Sequence, residues 1–361
     1  MIQVTKTFLP PWDEYTSILR RAWDSGWITN NGELLVELEK KLKHLIVNNN
    51  LFICNNGTIV LQMALKAFRI SGEVITTPFS YVATTNAILW EKCTPVFADI
   101  NDTDFNIDIS NLEEKITSST RAIMLTHVYG NPCDTEAIEA IAAKHNLPVI
   151  YDGAHAFGVN YKNKSLLSYG DISTCSFHAT KLFHMVEGGL IICKDESIAR
   201  KVMLYRQFGH VYDDYFSEGI NAKNSEFHAA MGLAVMPYIN DIIQNRKVTH
   251  SQYMKLLSST GLKFPVALTG TEPNYGYFPV LFESEAQMLT VKKMLFENGI
   301  NIRRYFYPSL NKLPYLISKQ DCPVSENISS RVACLPLYYN LAKSDVERIC
   351  EVICHQISST C

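Results

Sequence analysis

The sequence predicts an α/β fold in which a mostly parallel central sheet is flanked by helices and followed by a smaller α+β C-terminal domain. Two observations carry that prediction. From about residue 50, short β-rich apolar runs alternate with helical patterns, as they do when crossover helices connect parallel strands. Beyond "GINAKNSEFHAAMGLAVMPYI" the alternation gives way to a polar helical stretch beginning "NDIIQNRKVTHSQYMKLL", which reads as a connector to a second unit. The expected division is residues 1–245 for the large domain and 246–361 for the small one.

Each element has a local reason. "LFIC" (Leu51–Cys54) leads through "NNGT" into "IVLQMALKAF", whose Leu61, Leu65 and Phe68 share one helical face. "EVITTP", "TPVFADI", "AIMLTHVYG" and "LPVIYD" read as strands, with helices in "FSYVATTNAILWE" and "DTEAIEAIAAKHN" between them. "DISTCSF" and "GGLIIC" read as two further strands that bracket "HATKLFHMVE". In the second unit, "YGYFPVLF" and "NIRRYFYP" are expected strands, and "EAQMLTVKKMLFENG" is a helix closing on glycine. The final "SDVERICEVICHQI" is expected to be an amphipathic helix with Ser344 as its N-cap.

Composition narrows the function classes. The 361 residues support a sizeable core, and 47% hydrophobic content is that of an ordinary globular protein. A formal charge of -3 with interspersed signs leaves no broad basic face, which argues against nucleic acid as the main partner. Ten cysteines without CxxC pairs argue against a zinc ribbon or a disulfide framework and for reduced thiols. The opening "MIQVTKTFLPPWDEY" lacks the pattern of a secretory leader, and no run reaches the ~20 apolar residues of a membrane span. The expected location is therefore the cytoplasm, with no membrane partner.

In a parallel sheet, functional groups gather at the C-terminal strand ends. Three candidates lie there. Gly57, in "NNGT", permits close backbone approach, and the N–H groups of Gly57, Thr58 and Ile59 at a helix start suit a phosphate; a plain turn and cap is the competing reading. Asp152 ends "LPVIYD" and is either a loop acid or N-cap, or a buried counter-charge that keeps a cofactor nitrogen protonated; His155 follows three residues later. Lys181 sits between strand-like segments, where it is either an exposed loop residue or a desolvated amine with a lowered pKa that attacks aldehydes. Ser176 lies close enough in sequence to join a phosphate site. His178 and His184 flank the lysine, but their spacing without an acidic or cysteine partner argues against a metal site. A phosphate cradle, a strand-end acid and a buried lysine are together what pyridoxal 5′-phosphate requires.

These motifs also carry a resemblance. "SFHATKLFHMVEGG", "YDGAHAFG", "CNNGTIVLQMAL", "TTPFSYVATTNAI", "PVFADI", "HVYGNPCD" and "GINAKNSEFHAAMG" resemble the sugar-nucleotide aminotransferases of the DegT type. The likeness runs from "ITNNGELLVELEKKL" to "ACLPLYYNLAKSDVERI", nearly the whole chain. It implies the aspartate aminotransferase-like fold type I of pyridoxal phosphate enzymes. It further implies that Lys181 bonds the cofactor aldehyde, that Asp152 pairs with the pyridine nitrogen and that His155 contacts the ring hydroxyl. By the same resemblance Tyr81 stacks on the ring, while Gly57, Thr58 and Ser176 hold the phosphate. Asn221 matches an asparagine that reaches the cofactor phosphate of a neighbouring subunit, which implies a homodimer with shared active sites. Lys223 and Asn224 stand where relatives often have arginine and methionine, so substrate contacts there are expected to differ.

Within the family, "SFHATK" followed by "EGG" is similar to the branch that acts on nucleotide-linked 4-keto-6-deoxyhexoses. The implied reaction moves an amino group from L-glutamate to TDP-4-keto-6-deoxy-D-glucose, in a pathway to O-antigen or another surface polysaccharide. His178, His184, Lys223, Arg303 and Tyr305 are the residues expected on the substrate side, with Arg303 or Arg304 pairing with diphosphate. A 3-keto sugar acceptor and a non-catalytic regulatory or scaffold role are the alternatives. A dehydratase of the same fold is disfavoured, because such relatives carry histidine where this chain has Lys181.

Overall fold

The computed structural model describes residues 1–358. The chain opens with α1 (Trp12–Ser25) and α2 (Glu33–Ile46). Helix α2 buries Leu34, Leu35, Leu38, Leu42 and Ile46, an i, i+4 stripe that packs against a later helix, α8. Then come β1 (Leu51–Cys54), α3 (Gly57–Ala67), β2 (Glu73–Thr76), α4 (Ala83–Trp90), β3 (Thr94–Phe97), the short α5 (Ile109–Leu112), β4 (Thr120–Thr126), α6 (Thr135–His145) and β5 (Val149–Asp152). Strands β6 (Asn160–Tyr161) and β7 (Lys164–Ser165) form a small excursion before β8 (Ile172–Ser176), β9 (Gly189–Cys193) and α7 (Glu196–Arg206). A hairpin of β10 (His210–Val211) and β11 (Asp214–Tyr215) precedes α8 (Glu226–Val235) and the long α9 (Ile239–Leu257). The remainder comprises β12 (Thr271–Glu272), β13 (Pro279–Leu281), α10 (Glu285–Glu297), α11 (Pro323–Arg331), β14 (Val332–Cys334) and α12 (Lys343–Ser358).

Seven strands form the main sheet in the order β1-β9-β8-β5-β4-β2-β3. Strands β3, β2, β4, β5 and β8 are parallel, and only β9 runs against its neighbours β8 and β1. Strand β5 is buried along its length and reads as a continuous apolar run, as expected where helices cover both faces. Because the parallel strands point one way, Cys54, Thr76, Asp152 and Ser176 end at one sheet edge. Gly189 is the register partner of both Cys54 and Ser176 at that edge. A Cβ on Gly189 would lie 2.1 Å from the Asn56 carbonyl oxygen, so only glycine lets the turn after β1 close over β9.

One core lies between the sheet and helices α2 and α8, and a second between the sheet and α3, α4 and α7. A separate core gathers α9, α10, α12, β13 and β14. Helix α9 joins them, since Ile242 packs in the first core while Tyr253 and Leu257 belong to the last. The expected division at residue 245 thus falls inside this helix. The first residues pack with the second domain, for Ile2 bridges Ile300 and contacts its core.

Three local expectations are corrected. "NIRRYFYP" is not a strand: Arg303 alone bridges Cys334, and the Tyr305 carbonyl accepts from the Tyr129 hydroxyl instead of a neighbouring strand. Tyr305–Phe306 and Tyr307–Pro308 are cis peptides. In "YGYFPVLF" only Pro279–Leu281 pairs, with β14. Helix α12 already includes Lys343, so Ser344 stands in its first turn rather than at its cap.

Candidate active site

The loops after β1, β2, β5 and β8 enclose a cleft of about 400 Å³. Its lining includes Gly57, Thr58, Tyr81, Asp152, His155, Ser176, His178, Lys181, Arg303 and Tyr305, so ten of the residues expected from sequence meet in one place. The second domain supplies Arg303 and Tyr305, together with Tyr277 and Phe306.

Asp152 is 5% exposed at the end of β5. Thr84 donates to its Oδ2 at 2.6 Å and the Ala154 N–H to its Oδ1 at 3.0 Å. Ser80 Oγ lies 3.0 Å from Thr84 Oγ1 and 2.9 Å from Thr126 Oγ1, so the carboxylate is held by a buried hydroxyl chain. Burial raises the Asp152 pKa, and Thr84, Ala154 and the charge on Lys181 act against that rise. A buried carboxylate of this kind is stabilised in its charged form by a further cation or N–H placed in the cleft.

Lys181 stands in the loop between β8 and β9. Its Nζ donates to the Tyr277 hydroxyl at 3.3 Å. The expected lowering of its pKa is corrected. Burial does push the amine down, but Tyr277, then Asp152 and Cys175, push it up, and the net shift is upward. Sequence reasoning counted the desolvation and missed the partners, which come from distant elements.

His155 is buried, stacked on Phe306 with ring centroids 5.6 Å apart and set edge-on to Tyr277 at 4.8 Å. The Tyr129 N–H donates to its Nδ1 at 3.2 Å, which leaves the ring proton on Nε2. Desolvation holds its pKa well below the ordinary histidine value, so Nε2 is a neutral N–H donor. Tyr81 is 58% exposed and forms an open aromatic wall.

The turn after β1 differs from the expectation. Asn56 caps α3, its Oδ1 accepting from Thr58 N–H at 3.0 Å and Ile59 N–H at 2.8 Å. Those two N–H groups are therefore engaged, and of the three expected anion donors only the Gly57 N–H lacks this side-chain partner. A Cβ on Gly57 would lie 2.8 Å from Ser176 Cβ and 3.0 Å from its Oγ. The missing side chain lets the start of α3 lie against Ser176, which brings the Gly57 N–H and the Ser176 hydroxyl together at one polar corner of the cleft, a notch of the polarity an anion needs.

On the substrate side the predicted set divides. Arg303 lines the cleft, its guanidinium 5.0 Å from the Tyr305 ring centre. Arg304 turns away, donating to Glu285 and the Ser330 carbonyl at 2.7 Å each. His178 lines the cleft and lies 3.6 Å from Glu187. His184 is corrected: it is buried outside the cleft, with Nε2 2.6 Å from the Phe8 carbonyl and Nδ1 accepting from Val186 N–H at 3.3 Å. Both ring nitrogens are used in fastening the N-terminal segment, which leaves none for substrate. Asn221 and Lys223 also lie outside the cleft lining, with Lys223 Nζ donating to Asn221 Oδ1 at 2.9 Å.

The groups present fit pyridoxal 5′-phosphate: a notch beside Gly57 and Ser176, a buried carboxylate, a neutral N–H donor at His155, an aromatic wall and a primary amine. Comparison with known proteins gives the same direction. The model of the DegT/DnrJ/EryC1/StrS aminotransferase family matches residues 13–354. A dTDP-4-amino-4,6-dideoxy-D-glucose transaminase from Shigella dysenteriae is 40% identical over 359 residues, covering 98% of each chain. A GDP-perosamine synthase from Escherichia coli O157:H7 is 32% identical, covering 91% of this chain and 92% of that protein. Among solved structures, DesI determined with its TDP-sugar product superposes with a TM-score of 0.94 at 29% identity, covering 99% of this chain and 93% of that one.

Proposed function

The chain belongs to the DegT/DnrJ/EryC1/StrS aminotransferase family, and from that premise we propose that it uses pyridoxal 5′-phosphate to move an amino group from L-glutamate to C4 of TDP-4-keto-6-deoxy-D-glucose. The product is TDP-4-amino-4,6-dideoxy-D-glucose, a precursor suited to O-antigen or another surface polysaccharide. The meeting of Lys181 and Asp152 in one cleft carries the reading of the chemistry. The 40% identical relative named for the transaminase of that amino sugar supports the choice of acceptor.

When bound, the cofactor supplies an aldehyde that takes up amines and a ring that withdraws electrons from the adjoining carbon. Gly57 and Ser176 would hold its phosphate at the corner where the absent Cβ lets them lie side by side. The Asp152 carboxylate would pair with the ring nitrogen and keep a proton there, while Thr84 and Ala154 fix the direction of that carboxylate. His155 would donate Nε2–H to the ring hydroxyl, and Tyr81 would cover the ring face. Lys181 would hold the aldehyde, and its free, neutral Nζ would take the proton from the α-carbon of glutamate and, in the return half, deliver one to C4 of the sugar. Arg303 is the cleft guanidinium placed for the diphosphate.

Asn221 and Lys223, outside this chain's own cleft, serve a neighbouring subunit in a homodimer. The test is incubation with L-glutamate and a panel of 3-keto and 4-keto sugar nucleotides, followed by NMR of the products. Amination at C4 of the TDP-linked 6-deoxyhexose is expected; amination at C3 alone, or no transfer to any acceptor, would overturn the assignment.

A further inference from the structure

Tyr277 is not among the site residues expected from the sequence and has no part in the amino transfer as described. It lies in a loop of the second domain, 96 residues from Lys181, yet its hydroxyl is the hydrogen-bond acceptor for the lysine amine. The loop is fastened on both sides. Asn274, 3% exposed, donates from Nδ2 to the carbonyls of His155 and Phe157 at 2.9 and 2.8 Å, and its Oδ1 accepts the Gly276 N–H at 2.9 Å. The buried Arg246 of α9 donates to the Gly276 carbonyl at 3.1 Å. The Tyr277 ring is packed among Tyr129, His155 and Tyr305, with centroids 5.6, 4.8 and 6.0 Å away. Three elements thus fix a phenol against one amine, which is more construction than core filling requires.

We propose that Tyr277 is a positioning residue: its hydroxyl is the docking point of the Lys181 amine whenever that amine is not bonded to the aldehyde, and it steadies the ammonium form from the moment Nζ takes up a proton until that proton is delivered. The inference rests on the reading of Lys181 as the reactive amine. A free lysine in a buried cleft otherwise loses its proton to desolvation and has several rotamers open to it. A fixed acceptor answers both problems, steadying each transferred proton on Nζ between its uptake and its delivery and confining Nζ to one side of the cleft.

The charged and titratable groups around Lys181 are Tyr277 and Tyr305 from the second domain, Asp152 and His155 from the end of β5 and the loop after it, and Cys175 from β8. Arg246 adds positive charge beside Tyr277, and Arg303 lines the same cleft. Of these, Tyr277 alone makes a hydrogen bond to the amine. It is also the leading influence that raises the Lys181 pKa against burial.

The test uses the full chain with cofactor removed, labelled with 1-fluoro-2,4-dinitrobenzene, toward which an amine is reactive only in its neutral form; labelling at Lys181 itself is read by peptide mass spectrometry across pH. In the wild type the midpoint should lie at or above that of an ordinary lysine. In Tyr277→Phe, which keeps the ring, it should fall by about one pH unit, corresponding to about a tenfold change in protonation equilibrium. An unchanged midpoint in Tyr277→Phe would overturn the inference. So would a wild-type midpoint below the ordinary lysine value, which needs no variant. Addition of pyridoxal 5′-phosphate to a separate sample distinguishes the premise: failure to block Lys181 labelling would sink the role of Lys181 itself, while a block with no Tyr277 effect would sink only the docking role.

Discussion

Gly57→Ala sets two physical expectations against each other. Gly57 is the first residue of α3, and replacing glycine by alanine in a helix ordinarily stabilises by up to about 1 kcal/mol. The new Cβ, however, would stand 2.8 Å from Ser176 Cβ and 3.3 Å from Ser176 Cα, where carbon pairs prefer about 3.5–4.0 Å. The shortfall against Ser176 Cβ is about 0.7–1.2 Å. One of its sides is the backbone at the end of β8, which cannot swing aside as a flexible side chain would. Overpacking of that size costs about 1–3 kcal/mol, so the steric effect outweighs propensity. Because the clash would force the Gly57 N–H and the Ser176 hydroxyl apart, affinity for pyridoxal 5′-phosphate should fall by about tenfold to a hundredfold, equivalent to about 1.4–2.7 kcal/mol. Equilibrium dialysis against pyridoxal 5′-phosphate and against unphosphorylated pyridoxal separates local from general damage. The phosphorylated form should lose most of its advantage, with pyridoxal binding little altered. Equal weakening of both, or an unchanged affinity for the phosphate form, would refute the assignment of the notch.

Other outcomes follow from the same geometry. Thr84→Val removes the hydroxyl 2.6 Å from Asp152 at nearly constant volume, and hydrogen bonds to charged groups contribute about 1.5–3 kcal/mol. Single-turnover reaction with glutamate should slow by about tenfold to a hundredfold and recover in Thr84→Ser; an unaltered rate in the valine variant would remove Thr84 from the account. His184→Ala should lower the stability of the fold by about 1–3 kcal/mol through loss of its bonds to Phe8 and Val186. The KM for the sugar nucleotide should stay as it is, and a raised KM in a chain of undiminished stability would restore a substrate role. His127 is fully buried and desolvation pushes its pKa from 6.5 down to about 3. A base with a depressed folded pKa destabilises the fold as pH drops below its unfolded value, and the loss levels off only near the folded one. Between pH 7 and pH 5 the cost is about 2 kcal/mol from this residue. Denaturation midpoints at the two pH values should differ more in the wild type than in His127→Gln, and equal differences would contradict the assignment.

The strand ends were legible because parallel strands buried on both faces write themselves as short apolar runs, so Asp152 and Ser176 could be placed at one edge without coordinates. The cap on α3 was legible too, since asparagine ahead of a helix ordinarily accepts its first N–H groups; the phosphate reading of Thr58 and Ile59 overlooked that rule. Contacts between distant elements were not legible. Thr84 lies 68 residues from Asp152 and Tyr277 lies 96 from Lys181, and neither pairing leaves a local pattern. The same holds for Glu226, whose buried carboxylate caps α2 through Leu34 N–H at 2.6 Å and Leu35 N–H at 3.2 Å from more than 190 residues away. His184 shows the converse error. Its place beside the lysine suggested chemistry, whereas its ring is used in holding Phe8, 176 residues earlier.

The Lys181 amine, which shares the cleft with Asp152, is read as the group that bonds an aldehyde cofactor. Borohydride reduction of the chain loaded with pyridoxal 5′-phosphate, followed by peptide mapping, tests it most directly. The account predicts one phosphopyridoxyl mark, on Lys181, and none at that position after pretreatment with L-glutamate. A mark on another lysine, or a loaded protein that yields no reduced adduct, would contradict it.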